Sequence, residues 1–219
     1  MKRCLILVEG PTEERFVKDV LLAEFLPRGL HLTPVILATK VVKSGGKFIG
    51  GVTSYAKIRR DLIKLLGDSG CWVTTMIDYY GLPEDTPGMA NRPPAAAIHR
   101  VKHVEQSVLW DVGSPGNFRP FLALHEFEAL LFTDTEITAS VIPAREKAPE
   151  LLAVSGGLPP EDINENMATA PSKRLLQVFP TFKKTLHGPT AAKRIGLDAI
   201  RVRCPHFHEW ICWMEGLTG

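Results

Sequence analysis

Three apolar runs in this chain break off at carboxylates. RCLILV (3–8) ends at Glu9, CWVTTMID (71–78) ends on Asp78, and RPFLAL (119–124) runs into His125-Glu126-Phe127-Glu128. Glu13 follows Glu9 by about one helical turn. Like charges gathered in one crevice repel each other unless a cation lies between them. Hard oxygen ligands with room for water suit Mg²⁺ or Mn²⁺, which bind through a few carboxylates plus the phosphate oxygens of a substrate. The chemistry of such a centre is phosphoryl transfer or phosphodiester hydrolysis, with the metal as Lewis acid and generator of the nucleophile. Taken singly, the acids have ordinary explanations. Glu9 and Glu13 would charge the start of a helix, Asp78 would be a loop acid, and Glu126 would open the next helix. Those explanations leave out why three strand ends carry them together.

In open parallel sheets, ligands bind beyond the carboxyl ends of the strands, so the acids share a site only if their strands run the same way. The pattern between them supports this. After Glu9-Gly10-Pro11-Thr12, where Pro11 starts the turn and Thr12 is the expected cap, Phe16, Val17, Val20, Leu21 and Phe25 recur on one face of a helix from Glu13 to about Phe25. TPVILAT (33–39) reads as a second strand, and the glycine-rich KSGGKFIGG as a flexible loop. Helices are expected over 52–66 and 95–110, on either side of the strand that ends at Asp78 and ahead of a fourth strand over 119–124. Strand, helix, strand, helix, strand predicts right-handed parallel βαβ units. The expected fold is therefore α/β: a central parallel sheet of about four strands flanked by helices. Beyond it, Pro and Gly separate short helices, clearest at 146–153, 172–179, 189–195 and 206–217. The chain thus reads as one domain over 1–219, a core of about 1–135 with a helical extension of about 136–219.

The acids and their flanks resemble a known group. VEGPTEERF, with Glu9 at the end of the first strand and Glu13 in the helix after it, is similar to the opening motif of Toprim domains, shared by topoisomerases, bacterial primases, recombination-mediator proteins and the ATPase-linked OLD nucleases. The resemblance implies that Glu9 is a metal ligand or general acid/base and that a DxD motif after a later strand adds ligands. In MIDYYGLP, Asp78 is present and Tyr80 stands where the second Asp would be. Over essentially its whole length the chain also resembles a bacterial Toprim-like family of unknown function, through VEGPTEERF, DYYGLP, HEFEALLF, APSKRL and IGLDAIRVRCPHFHEW. That second resemblance implies a partner ATPase and a setting in bacterial defence or mobile elements.

The expected site then has Glu9, Glu13, Asp78 and Glu126 as metal ligands for Mg²⁺ or Mn²⁺. Glu126 and Glu128 lie about 200° apart on a helix starting here, so one of them is expected to face the site, and Glu126 is that one. Lys173 in APSKRL sits in the first turn of a helix, the end where the macrodipole disfavours cations, which implies an anion nearby. Lys173 is the expected electrostatic support for a scissile phosphate, with Lys193 second. The expected function is a Mg²⁺- or Mn²⁺-dependent nuclease acting on DNA or RNA; the alternative is a non-catalytic effector that binds nucleotide or nucleic acid at the same site and reports to an ATPase.

Other motifs fall short of their chemistry. HEFEA lacks the second His of HExxH, because Ala129 stands there. Cys204, His206, His208 and Cys212 match no standard zinc spacing, and Phe207, Trp210, Ile211 and Met214 predict instead a helix facing the core. KSGGKFIGG lacks the GK[ST] of a phosphate-binding loop. Hydrophobic residues at 45%, charged residues at 23% and a net charge of +2 over 219 residues describe an ordinary globular chain. That balance permits nucleic acid as a partner without demanding it. The four cysteines are scattered, no leader-like segment opens the sequence, and no apolar stretch reaches the roughly 20 residues a membrane span needs. A cytoplasmic protein with reduced thiols and no membrane role is expected.

Overall fold

The computed structural model describes residues 1–37, 54–163 and 169–218. Strand β1 (Lys2–Val8) lies between β2 (Leu30–Ile36) and β3 (Trp72–Asp78), parallel to both, with Val8 opposite Ile36 on one side and Met76 on the other. β3 continues the sheet to the short β4 (Phe118–Arg119) and β5 (Leu122–Ala123), again parallel, in the order β2-β1-β3-β4 with β5 also on β3. The α/β reading with a central parallel sheet holds.

The fourth strand expected over 119–124 is two pieces. Pro120 has no N–H to give a ladder. The Thr75 hydroxyl takes over the pairing: it donates to the Phe121 carbonyl (2.7 Å) and accepts from the Phe121 N–H (2.8 Å). Register is unchanged across the gap, since Thr74 pairs with Arg119 and Ile77 with Leu122. β2 begins three residues before the expected strand. Gly29, at φ 81°, reverses the chain directly into it. Pro34 is tolerated there because β2 is the last strand at its end of the order. The far end of the expected strand and the KSGGKFIGG loop, with Lys40, Lys43 and Lys47, lie outside the described residues.

Between β1 and β2 the chain is helical: α1 (Pro11–Phe16), a π-helical turn (Val17–Leu21), α2 (Leu22–Phe25) and a 3₁₀ turn (Leu26–Arg28). The cap is Gly10 and not Thr12, which lies inside the first turn, because Pro11 takes the first helical position it favours. α3 (Tyr55–Leu66) starts at Ser54, whose hydroxyl accepts from the Ala56 N–H, and α4 (Ala97–Asp111) leads to β4.

Strand residues alternate between two apolar layers. Leu7, Val73 and Ile77 pack with Tyr55, Ile58 and Leu62 of α3 and Val101, Val104 and Val108 of α4. Cys4, Ile6, Val8 and Met76 pack with Phe16, Val17 and Leu21 on the other face. Both faces of a parallel sheet must be covered, and the second cover extends into the C-terminal helices: α5 (Thr135–Val141), α6 (Ala148–Ser155), α7 (Pro171–Val178), α8 (Lys184–Ile195), α9 (Leu197–Arg203) and α10 (Pro205–Leu217). As expected, α10 buries Phe207, Trp210, Ile211 and Met214. Trp210 stacks on Phe121 at 4.3 Å and donates its indole N–H to Thr74. No helix among the described residues is long and apolar enough to cross a membrane.

α8 starts at Lys184, five residues before the expected helix, with Gly188-Pro189 inside it. Proline in a helix interior leaves the carbonyl four residues back without its donor. Here that carbonyl belongs to Thr185, and Arg15 of α1 donates to it at 3.1 Å. A Cβ on Gly188 would stand 3.1 Å from the Phe127 ring, so glycine lets α8 lie against the chain that carries the last acids.

Candidate functional site

The carboxyl ends of β1, β3 and β5 bring Glu9, Asp78 and the 126–128 segment to one edge of the sheet. Each carboxylate there is tethered by a backbone amide or a lysine. Glu9 Oε2 accepts from the Asp78 N–H (3.3 Å), which ties the end of β1 to the end of β3. Glu13, at the third position of α1, reaches back to the Gly10 N–H (2.9 Å). Asp78 Oδ1 accepts from the Phe127 N–H (2.9 Å), and Glu126 Oε2 from the Ser172 N–H at the start of α7 (2.9 Å). Lys184, the first residue of α8, places its ammonium 3.2 Å from Glu128 and 3.8 Å from Glu126. Gly81 completes the cradle: a Cβ there would lie 3.0 and 3.1 Å from the two Glu9 carboxylate oxygens.

Crowding raises the proton affinity of this group. Burial, then the negative charges of Glu9, Glu13 and Glu128, push Asp78 well above the usual carboxylate range. Burial chiefly, with Glu128 and Glu9 adding, pushes Glu13 up to about 7. Glu9 and Glu128 are raised in the same way, burial first, against the opposing pull of Lys184. For Lys184, burial works against the charge, and Glu128, Glu126 and Asp78 outweigh it, so its pKa rises. A crevice of this kind holds protons or a cation at neutral pH, since it cannot carry all its negative charges bare.

The donor chemistry suits a hard divalent ion, and the Glu9 cradle next to Gly81 leaves that carboxylate within reach of Asp78. As the side chains stand, no three acids, histidines or cysteines among the described residues are arranged to hold a metal ion. The tethers explain the spread: Glu13, Asp78 and Glu126 each point an oxygen at a backbone N–H.

Two sequence expectations need correction in geometry. Glu126 and Glu128 both reach Lys184, where one acid was expected to face the site. The chain turns there as a 3₁₀ helix (Phe127–Thr133) with Glu126 extended at its cap, so the α-helical angle between them does not apply. Lys193 lies in the last turn of α8, where a cation is favoured by the helix dipole, and not near a helix start. Lys173 is in the first turn of α7 as expected. It is exposed, forms no ion pair with the four expected acids, and lines a cleft with Val154, Thr169, Arg174 and Gln177. Among the described residues, the cation that meets Glu126 and Glu128 is Lys184, hidden in the sequence because Gly188-Pro189 reads as the start of the helix.

His125 links strand end and site in an unusual conformation. Its φ is 68°, one of two positive values at non-glycine residues among those described. Its carbonyl accepts from the Tyr80 N–H (3.2 Å), and the ring packs beside Tyr80 with centroids 5.1 Å apart. Nε2 donates to the Glu161 carbonyl (2.9 Å), which fixes the tautomer and leaves Nδ1 buried without a partner. Burial lowers the His125 pKa, which favours the neutral ring. The Glu161 carboxylate in turn accepts the His206 and Phe207 N–H groups at the start of α10. The four cysteines and histidines of the tail do not gather at one point: Cys204 faces Thr133, His206 faces Glu105, and only His208 and Cys212 meet.

No curated protein and no solved structure gives a match to this chain. A family model matches residues 8–215, nearly the full length and every acid described above, and the chain therefore belongs to the family described as Domain of unknown function (DUF4276).

Proposed function

We propose that this protein is a Toprim-type, Mg²⁺- or Mn²⁺-dependent hydrolase of phosphodiester bonds in DNA or RNA. The observation that supports the reading best is the convergence of Glu9, Glu13, Asp78, Glu126 and Glu128 on one sheet edge with the Lys184 ammonium beside two of them. So many buried acids cost stability without a ligand to compensate them, and a divalent cation with phosphate is the ligand their chemistry fits. Glu9, Asp78 and Glu126 would hold the metal, with Glu13, which feels the charge of Glu9, beside them. When bound, the metal supplies Lewis-acid polarisation of the phosphate and a more acidic water. Lys184 supports the extra negative charge on the phosphate as it is attacked. Glu13, pushed up to about 7, is able to take and release a proton near neutral pH. A partner ATPase and a role in bacterial defence enter this proposal through family resemblance alone.

Tyr80 favours a second reading, a non-catalytic effector that binds nucleotide or nucleic acid here. It stands where the Toprim motif has its second acid, and one fewer ligand weakens metal binding before it harms the fold. One set of assays separates the two: cleavage of supercoiled DNA, linear DNA and RNA with Mg²⁺ or Mn²⁺, alongside thermal stability, for wild type, Glu9→Ala and Asp78→Ala. Metal-dependent cutting lost in both variants is the result expected of a nuclease. Metal-induced stabilisation without cutting supports the effector, and neither response removes both.

A further inference from the structure

Beside the acids, α7 opens onto a cleft of about 260 Å³ lined by Val154, Thr169, Lys173, Arg174 and Gln177. Among the described residues, its four polar side chains all carry N–H or O–H donors and none is an acid. Arg174 is fixed in place: Nε donates to the Thr169 carbonyl (2.9 Å) and Nη1 to the Val154 carbonyl, which leaves the Nη2 edge for a ligand. Lys173 and Gln177 are exposed, one turn apart on α7. Both cations occupy the first turn of the helix, the end with partial positive charge, so the arrangement is unfavourable until an anion joins it. At about 30 Å³ per water, the cleft holds several waters, room enough for a phosphate and part of its sugar.

The cleft and the acidic site meet at the start of α7. Ser172, next to Lys173, donates its N–H to Glu126. Tyr80 feels both regions: after burial, the Glu126 charge raises its pKa, while Arg100 and Arg174 oppose the rise. Glu126, one of the acids proposed to hold a metal, and the basic cleft thus share the start of one helix.

We propose that this cleft is a second anion subsite, in which Lys173, Arg174 and Gln177 bind a backbone phosphate of a nucleic-acid strand neighbouring the phosphate held at the acids. The proposal rests on the nucleic-acid reading above and adds the path of the strand. It moves Lys173 from the scissile phosphate to a flanking one.

The test is binding of a fluorescent single-stranded oligonucleotide across a KCl series, in Ca²⁺, for wild type, Lys173→Gln and Gln177→Glu. Both side chains are exposed, and neither change touches the carbonyl anchors of Arg174, so folding is retained. Each lost phosphate contact lowers the slope of log affinity against log salt by about 0.7 for a single strand. Lys173→Gln is expected to bind about fivefold more weakly at low salt with that loss of slope, and Gln177→Glu to bind more weakly still. Metal-induced thermal stabilisation stays at the wild-type level in both. Equal affinity and slope in all three proteins overturn the subsite, as does a wild type that binds no oligonucleotide. Normal cleavage with a slope indifferent to Lys173 sinks the subsite and leaves the nuclease reading standing. A Lys173-dependent slope in a protein that never cuts does the reverse.

Discussion

Lys184 Nζ stands 3.2 Å from Glu128 Oε2, joining the first residue of α8 to an acid whose side chain is only 2% exposed. Removing the lysine leaves Glu128 buried without its counter-charge. The Lys184 side chain is 44% exposed, so solvent screens part of the interaction. Lys184→Met is expected to cost about 1–2 kcal/mol in urea unfolding at pH 7. Adding Glu128→Gln should recover most of that loss, and a strictly additive double variant would show the two residues uncoupled.

Glu13 gives a pH dependence with a defined sign. Its folded pKa is raised from 4.5 to about 7, so between those values the folded protein holds more protons than the unfolded chain. Stability from this residue is full below pH 4.5 and is lost as pH rises through 7, by about 1–3 kcal/mol. Glu9, Asp78 and Glu128 are raised in the same direction and steepen the trend. Unfolding free energies between pH 4.5 and 7.5 should fall less steeply in Glu13→Gln than in wild type. Parallel curves would mean that Glu13 titrates normally.

Gly81→Ala separates site from fold. Gly81 is not among the residues of positive φ, so its backbone accepts a side chain; the gain of about 0.5 kcal/mol from a stiffer unfolded chain is set against the lost Glu9–Asp78 hydrogen bond, and alanine should cost no more than about 1 kcal/mol. The new Cβ, 3.0 Å from Glu9 Oε2, displaces that carboxylate from the Asp78 N–H. Under the proposed function, metal affinity read from thermal shifts should fall about tenfold, a loss of roughly 1.4 kcal/mol. An unshifted metal titration would place Glu9 outside the metal site.

Thr75→Val tests the repair of the sheet. The change keeps the shape and deletes both hydrogen bonds to Phe121, leaving its buried N–H unpaired. The expected cost is about 2–4 kcal/mol in chemical denaturation. Thr75→Ser, which keeps the hydroxyl, should recover at least half, whereas equal losses in the two variants would assign the effect to packing.

The sheet and its acids were legible because the signals were local and agreed. RCLILV and CWVTTMID are continuous apolar runs, as strands buried on both faces must be, and each stops at the residue where the chain leaves the sheet. β4 and β5 were merged into one strand because the Thr75 hydroxyl that bridges Pro120 comes from 46 residues away and leaves no mark near it. Lys184 was missed for a related reason. Gly188-Pro189 reads as a break unless Arg15, in another helix, is known to satisfy Thr185. Gly81 looks like an ordinary turn glycine until the Glu9 carboxylate is seen against it. Strand ends can be read from neighbours in sequence, while the partners that close the crevice are neighbours only in space.

The Arg15–Thr185 hydrogen bond spans 170 residues of chain. At synthesis rates of about 5–20 residues per second, roughly 10–30 s separate the emergence of its two ends. During that interval β1, β3 and the first acids already exist, while α8 and its lysine do not. Over that interval Glu9 and Asp78 lack the lysine whose charge opposes theirs in the folded protein. Among the residues that form the crevice, the acids are thus made first and Lys184, the cation that offsets them, is made last.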